Sequence, residues 1–208
     1  GDWEVRERLE PSDNSKSEAF KALQPLCSRL LLEADSKTTA KMLDALADKF
    51  SHIPRLGLSA CTDYVLFPLG MMIVSAGQSF SPSDSQDTPA PPLSTMKNTH
   101  AAEAALRCTA QLLLCCCCQR EDQALGLLER LAPLVALTHG QAGEELRLEA
   151  LGCLNQLLLG ISRSPSPEVA LVLCQEDNAV MVGYLVSSLI KVADAEVGAG
   201  AVGSRAVR

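Results

Sequence analysis

Aromatic residues make up only 3% of this 208-residue chain: one Trp, two Tyr and four Phe. Sheets fill their pleated cores with aromatic and β-branched side chains, so the scarcity argues against a sandwich or barrel. Basic charge is also short. Eighteen Lys and Arg stand against 25 Asp and Glu, leaving a formal charge of −7 and no basic block. A surface that tracks phosphates needs a basic stripe, so no nucleic acid is expected as a partner. Long apolar runs are missing as well. Tyr64–Gly77 is broken by Pro68 and Leu112–Cys118 is shorter still, whereas a membrane span takes about 20 residues, so no membrane partner is expected. Histidine occurs three times. None of His52, His100 and His139 stands in a Gly-x-Ser-x-Gly or comparable setting, and neither Gly-x-Gly-x-x-Gly nor a Walker sequence is present. Each histidine reads as a surface or capping residue; neither enzyme nor cofactor is expected.

What is abundant is aliphatic. Hydrophobic side chains are 47% of the chain, with 34 Leu and 26 Ala. Both residues are strong helix formers, and this much apolar material builds a sizeable core. The expected fold is all-α. Nine cysteines, an odd number set mostly in leucine-rich segments, read as reduced core residues of a cytosolic or nuclear protein. The chain opens Gly-Asp-Trp-Glu, with neither an initiator methionine nor a signal-peptide pattern, which reads as a fragment.

Along the chain, residues 1–16 read as a charged, flexible leader. Residues 17–76 carry the first helical repeats. Phe20, Leu23, Leu26, Cys27, Leu30 and Leu31 form one stripe with Pro25 as a kink. A second helix, capped by Ser36, carries Leu43, Leu46 and Phe50, and a third spans Leu58 to Ala76 across Pro68. Residues 77–98 exchange aliphatic side chains for Ser, Pro and Gly and read as a disordered linker. Residues 99–195 hold further repeats: His100–Cys118, Asp122–Leu137, Glu144–Gly160, a short helix from Ser166 and Pro167 to Cys174, and a last one from Asp177 to about Ala193. Residues 196–208 read as a glycine-rich tail, truncated at the opening of another element.

The most informative comparison is internal. Ala105–Leu114 (ALRCTAQLLL) aligns without a gap on Ala150–Leu159 (ALGCLNQLLL), seven of ten positions being identical at an offset of 45 residues. Spacings of roughly 40–47 residues mark HEAT and armadillo arrays. The physical reason is that a lone helical hairpin leaves one apolar side wet, and the next hairpin covers it. The expected architecture is therefore an α-solenoid of HEAT/armadillo-like hairpins, whose function lies in its surfaces.

Chemical readings fare worse. Cys115–Cys118 lacks the second ligand pair a structural zinc site needs and reads as a packed helix end; a small helical metalloprotein is the minority reading. Glu144, Glu145 and Glu149 with Arg147 form either an acidic strip or a solvated helix face. Ser81, Thr88, Ser164 and Ser166 each precede a proline in a loop and are the candidate phosphorylation sites.

Three further segments carry a family likeness. Glu18–Cys27 (EAFKALQPLC), Tyr64–Leu69 (YVLFPL) and Arg147–Leu159 (RLEALGCLNQLLL) stand in the order and spacing of the amino-terminal region of the Tel-two-interacting protein one family. From about Ser17 onward the chain resembles that family, the HEAT-repeat subunit of the TTT complex. The resemblance implies a non-catalytic scaffold and co-chaperone in cytoplasm and nucleus. It implies partners of the Tel-two and Tti-two type, phosphatidylinositol-3-kinase-related kinases as clients and a heat-shock chaperone system, serving TOR signalling and the DNA-damage response. The competing reading is another armadillo- or HEAT-type adaptor for transport or trafficking.

Overall fold

The computed structural model describes residues 13–80, 99–138 and 142–206, with side chains over 14–195 of these. Every regular element among the described residues is helical. In chain order these are α1 (Asp13–Leu30), α2 (Ser36–His52), α3 (Arg55–Ala60), α4 (Thr62–Phe80), α5 (Thr99–Cys115), α6 (Glu121–Val135), α7 (Glu144–Ser162), α8 (Pro167–Leu171) and α9 (Ala179–Ala206). Two short 3₁₀ turns, Val172–Cys174 and Glu176–Asn178, join α8 to α9.

The helices pair as hairpins α1/α2, α4/α5 and α6/α7, and the hairpins stack. Stacking produces two rows. In one, α5 lies between α2 and α7; in the other, α4 packs on α1 and α6, and α9 follows on α6. One continuous apolar layer between the rows buries Leu23, Leu43, Phe50, Leu69, Leu112 and Leu127 completely or almost so. Each such side chain contributes about 1.5–3 kcal/mol through its removal from water. The α-solenoid expected from the 45-residue repeat is the observed fold.

The repeat holds at its inward-facing core positions. Ala105 and Ala150, Cys108 and Cys153, and Leu112 and Leu157 are all buried, while Arg107 and its counterpart Gly152 are both exposed. The two decapeptides are thus equivalent second helices of neighbouring hairpins, in direct contact.

Several boundaries differ from the sequence reading. Helix α1 begins at Asp13, inside the expected leader, and α4 runs to Phe80, into the expected linker. The helix expected from Leu58 to Ala76 is two helices. The backbone N–H of Cys61 turns back to Leu58 O, and Thr62 Oγ1 donates to Leu58 O and Ser59 O at 3.2 and 3.0 Å, which pins the break. Asp35, not Ser36, caps α2: its carboxylate accepts from Thr38 N at 2.8 Å and Thr38 Oγ1 at 2.7 Å. Those two bonds hold the Asp35 carboxyl below its usual range. Helix α5 stops at Cys115, three residues short of the expected end. The glycine-rich tail is also corrected, because α9 continues from Ala193 to Ala206. The rest of the leader and linker, residues 1–12 and 81–98, lies outside the described residues.

Pro25, Pro68 and Pro133 all sit inside helices that continue through them. A proline removes one backbone donor; Pro68 is buried against the neighbouring helices, while Pro25 and Pro133 lie on exposed faces. A glycine makes one close approach possible. A Cβ on Gly57 would lie 2.8 Å from Ser15 O, so α3 rests directly on the first turn of α1.

Candidate functional site

The cysteine run sits where one hairpin hands over to the next. Cys115 closes α5, and Cys116–Cys118 belong to the connection to α6. Cys116 is buried, donates to Leu112 O at 3.3 Å and lies 3.7 Å from Thr62 Oγ1. Burial pushes its thiol up to about 11, although the Thr62 contact pulls the other way. Cys118 rises to about 12, again through burial, with Cys116 and Cys117 adding to it. Half-buried Cys117 accepts from Arg55 Nη2 at 3.4 Å. Burial also raises Cys27 to about 11 and Cys153 to about 12, and moves Cys61 and Cys108 the same way. A thiol held this way stays protonated at neutral pH, and the thiolate is both the nucleophile and the metal ligand. Among the described residues no three His, Cys, Asp or Glu side chains converge on a point that would hold a metal ion.

The phosphorylation candidates divide. Ser81 and Thr88 lie outside the described residues. Ser164 and Ser166 sit together in the turn between α7 and α8. Ser164 Oγ donates to Cys118 O at 3.4 Å and accepts from Ser166 N at 3.2 Å, which ties that turn to the cysteine run. Ser166 occupies the N-cap position of α8 with Pro167 as its first residue, as expected from the sequence, although its hydroxyl makes no cap bond. His52 is exposed and shares a hydrogen bond with Asp48 O at 2.9 Å. His100, also exposed, lies 3.2 Å from Glu103 Oε2. His139 lies outside the described residues.

The acidic strip does not form as a unit. Glu144 and Glu145 face solvent, but Arg147 is buried and only 8% exposed. Glu149 instead reaches the neighbouring hairpin, where Arg107 Nη1 meets Glu149 Oε1 at 3.2 Å and Arg107 Nη2 meets Asp44 Oδ1 at 4.0 Å. One guanidinium thereby straps α2, α5 and α7 across their outer face.

A second ionic group, which sequence spacing gave no way to find, fastens α4 to α6. Arg120 Nη1 donates to Asp63 Oδ2 at 2.9 Å and Nη2 to Asp122 Oδ2 at 2.6 Å, while Gln123 Nε2 holds Asp63 Oδ1 at 2.6 Å. The hydrogen bond from Arg120 lowers the Asp122 carboxyl, and the guanidinium is raised in turn. The group is exposed, so its energy is small. Arg120→Ala is expected to lower the melting temperature slightly at low ionic strength, with the difference vanishing in about 1 M salt. An unchanged difference at both salt levels would show that the contact acts by packing alone.

Another overlooked feature is apolar. Helix α9 docks through Leu185, Ser188 and Val192 but leaves Val180, Tyr184, Val186 and Ile190 half exposed or more. The stretch Glu176–Ala195 is long and apolar enough to cross a membrane by length and composition, at a mean hydropathy of 1.2. Its signal is in the sequence, spread between weak polar residues rather than concentrated in an unbroken run.

These surfaces are what the stack presents. The family model described as the TTI1 N-terminal TPR domain matches residues 20–199. The chain belongs to the TTI1 N-terminal TPR domain family. That match covers every hairpin, and the TTI1-like chain is a helical scaffold of a type whose family is not catalytic. The 45-residue spacing of this TTI1 N-terminal domain exceeds the roughly 34 residues of a tetratricopeptide repeat and lies in the HEAT range. No curated protein and no solved structure matches the chain.

Proposed function

We propose that this chain is the amino-terminal arm of a non-catalytic scaffold that supports the folding, assembly and stability of phosphatidylinositol-3-kinase-related kinases. It acts in cytoplasm and nucleus beside Tel-two and Tti-two type subunits and a heat-shock chaperone system. The observation that carries this reading is the TTI1 N-terminal match over residues 20–199. The geometry agrees with it: an uninterrupted stack of hairpins offers long side-chain ridges to protein partners.

The test is affinity recovery of the tagged protein from cells, followed by its depletion. Tel-two-type subunits should co-purify, and depletion should lower the steady-state level of the kinases at unchanged messenger levels. Recovery of transport cargo or coat components instead, with kinase levels unaltered, would replace this reading with that of a trafficking adaptor.

A further inference from the structure

The outer ridge of α4 carries an exposed apolar surface. Phe67 and Met71, one turn apart, are 59% and 58% exposed. Tyr64 continues the same stripe and stacks obliquely on Phe20 of α1, with ring centroids 4.9 Å apart. Three of the chain's few aromatic residues therefore crowd one face. Protein interfaces are enriched in aromatic residues, Met and Arg, and this ridge is flanked by the third of these.

On one side of the ridge lies a cleft of about 390 Å³, between α4 and the facing ends of α1, α2 and α5. Leu31, Pro68, Met72 and Ala76 supply its apolar lining. Its wall also contains Ser36 Oγ, which is shut off from solvent and has no hydrogen-bond partner. On the other side stands Arg130 of α6. A Cβ on Gly70 would lie 2.6 Å from Arg130 Nη1, so the guanidinium is laid against the α4 backbone rather than waving in solvent. It makes no ion pair or hydrogen bond among the described residues.

The geometry points to a docking site for an amphipathic peptide helix that seats two apolar side chains, four residues apart, over the Phe67–Met71 ridge and the cleft, and sets a carboxylate on Arg130. Charge decides the class of partner. An exposed guanidinium with no ion pair among the described residues, set beside an apolar ridge, favours a carboxylate through paired N–H donors and repels a basic helix. The apolar pair supplies the affinity, as in other helix-in-groove complexes. This inference stands on the α4 ridge, the cleft beside it and Arg130, and is independent of the kinase-assembly role.

Selection of displayed random peptides, about 16 residues long, against the full chain tests it. Enriched sequences should share an apolar pair at i, i+4 and an Asp or Glu near it. Met71→Asp should weaken the selected peptides roughly tenfold or more. Selection against Arg130→Glu should exchange the acidic position for Lys or Arg. Both side chains are exposed, and unchanged helical circular dichroism and melting would confirm that the fold is kept; Phe67→Ser gives a second, independent lesion. The inference is overturned if nothing is enriched, if the peptides bind Met71→Asp or Phe67→Ser undiminished, or if the selected charge ignores Arg130→Glu. It is equally overturned if gel filtration shows a dimer that Met71→Asp dissociates, because the occupant is then a second copy.

Discussion

Leu112→Asp is expected to abolish the cooperative thermal transition. Leu112 is fully buried on α5, which has packed neighbours on both sides of its row. A carboxylate there has no partner and no water. Its burial costs several kcal/mol beyond the lost leucine contacts, against a total stability of about 5–15 kcal/mol for a typical domain. Leu113, at 4% exposure, should be nearly as intolerant. Its repeat counterpart Leu158 should not be. The sequence alone makes the two equivalent, but α7 has a row neighbour only on the α5 side, and Leu158 remains partly exposed. An aspartate there can turn outward, so Leu158→Asp should fold with a lowered melting point. Melts followed by circular dichroism decide between these outcomes. A cooperative transition for Leu112→Asp within a few degrees of the parent would mean that α5 is not the centre of the stack.

Alkaline pH should destabilise the chain progressively above pH 9. Cys27 and Cys116 rise to about 11 and Cys118 and Cys153 to about 12, from an ordinary value of 9.0, and Cys108 moves further in the same direction. In each case burial opposes the thiolate. A raised folded-state value means that the unfolded chain releases its proton first. The stabilisation is therefore complete below pH 9 and is lost as pH climbs toward 11 and 12. Each thiol then contributes a loss of about 1.4 kcal/mol per pH unit, and all five act in the same direction against a typical domain stability of about 5–15 kcal/mol. The melting temperature should fall steeply from just above pH 9. Replacing Cys108 and Cys153 with alanine should flatten that slope. A profile level from pH 8 to 10.5, or a slope indifferent to those substitutions, would show that the thiols are not desolvated.

Much of the fold is legible in sequence because stacking imposes periodicity. The 45-residue offset between Ala105–Leu114 and Ala150–Leu159 correctly identifies two equivalent, touching helices, and the leucine stripes mark their buried faces. What sequence misreads is local punctuation. Ser36 reads as the cap of α2, whereas the chain enters the helix one residue earlier and the Asp35 carboxylate takes that place. The three internal prolines read as lying within helices, and the structure keeps them there, but the break at Cys61 carries no proline and goes unsignalled. The surfaces were the least legible. Ion pairs such as Arg120–Asp63 join positions 57 residues apart in the chain, and no local pattern signals them.

Composition and repeat spacing by themselves determined that this chain is helical and that its hairpins stack, because helix propensity and burial are properties of short segments. Which leucines tolerate a charge, which arginine bridges which helices and which ridge stays open were decided only by the tertiary structure. Those properties depend on how many neighbours each helix acquires in its row, and a linear sequence does not contain that number.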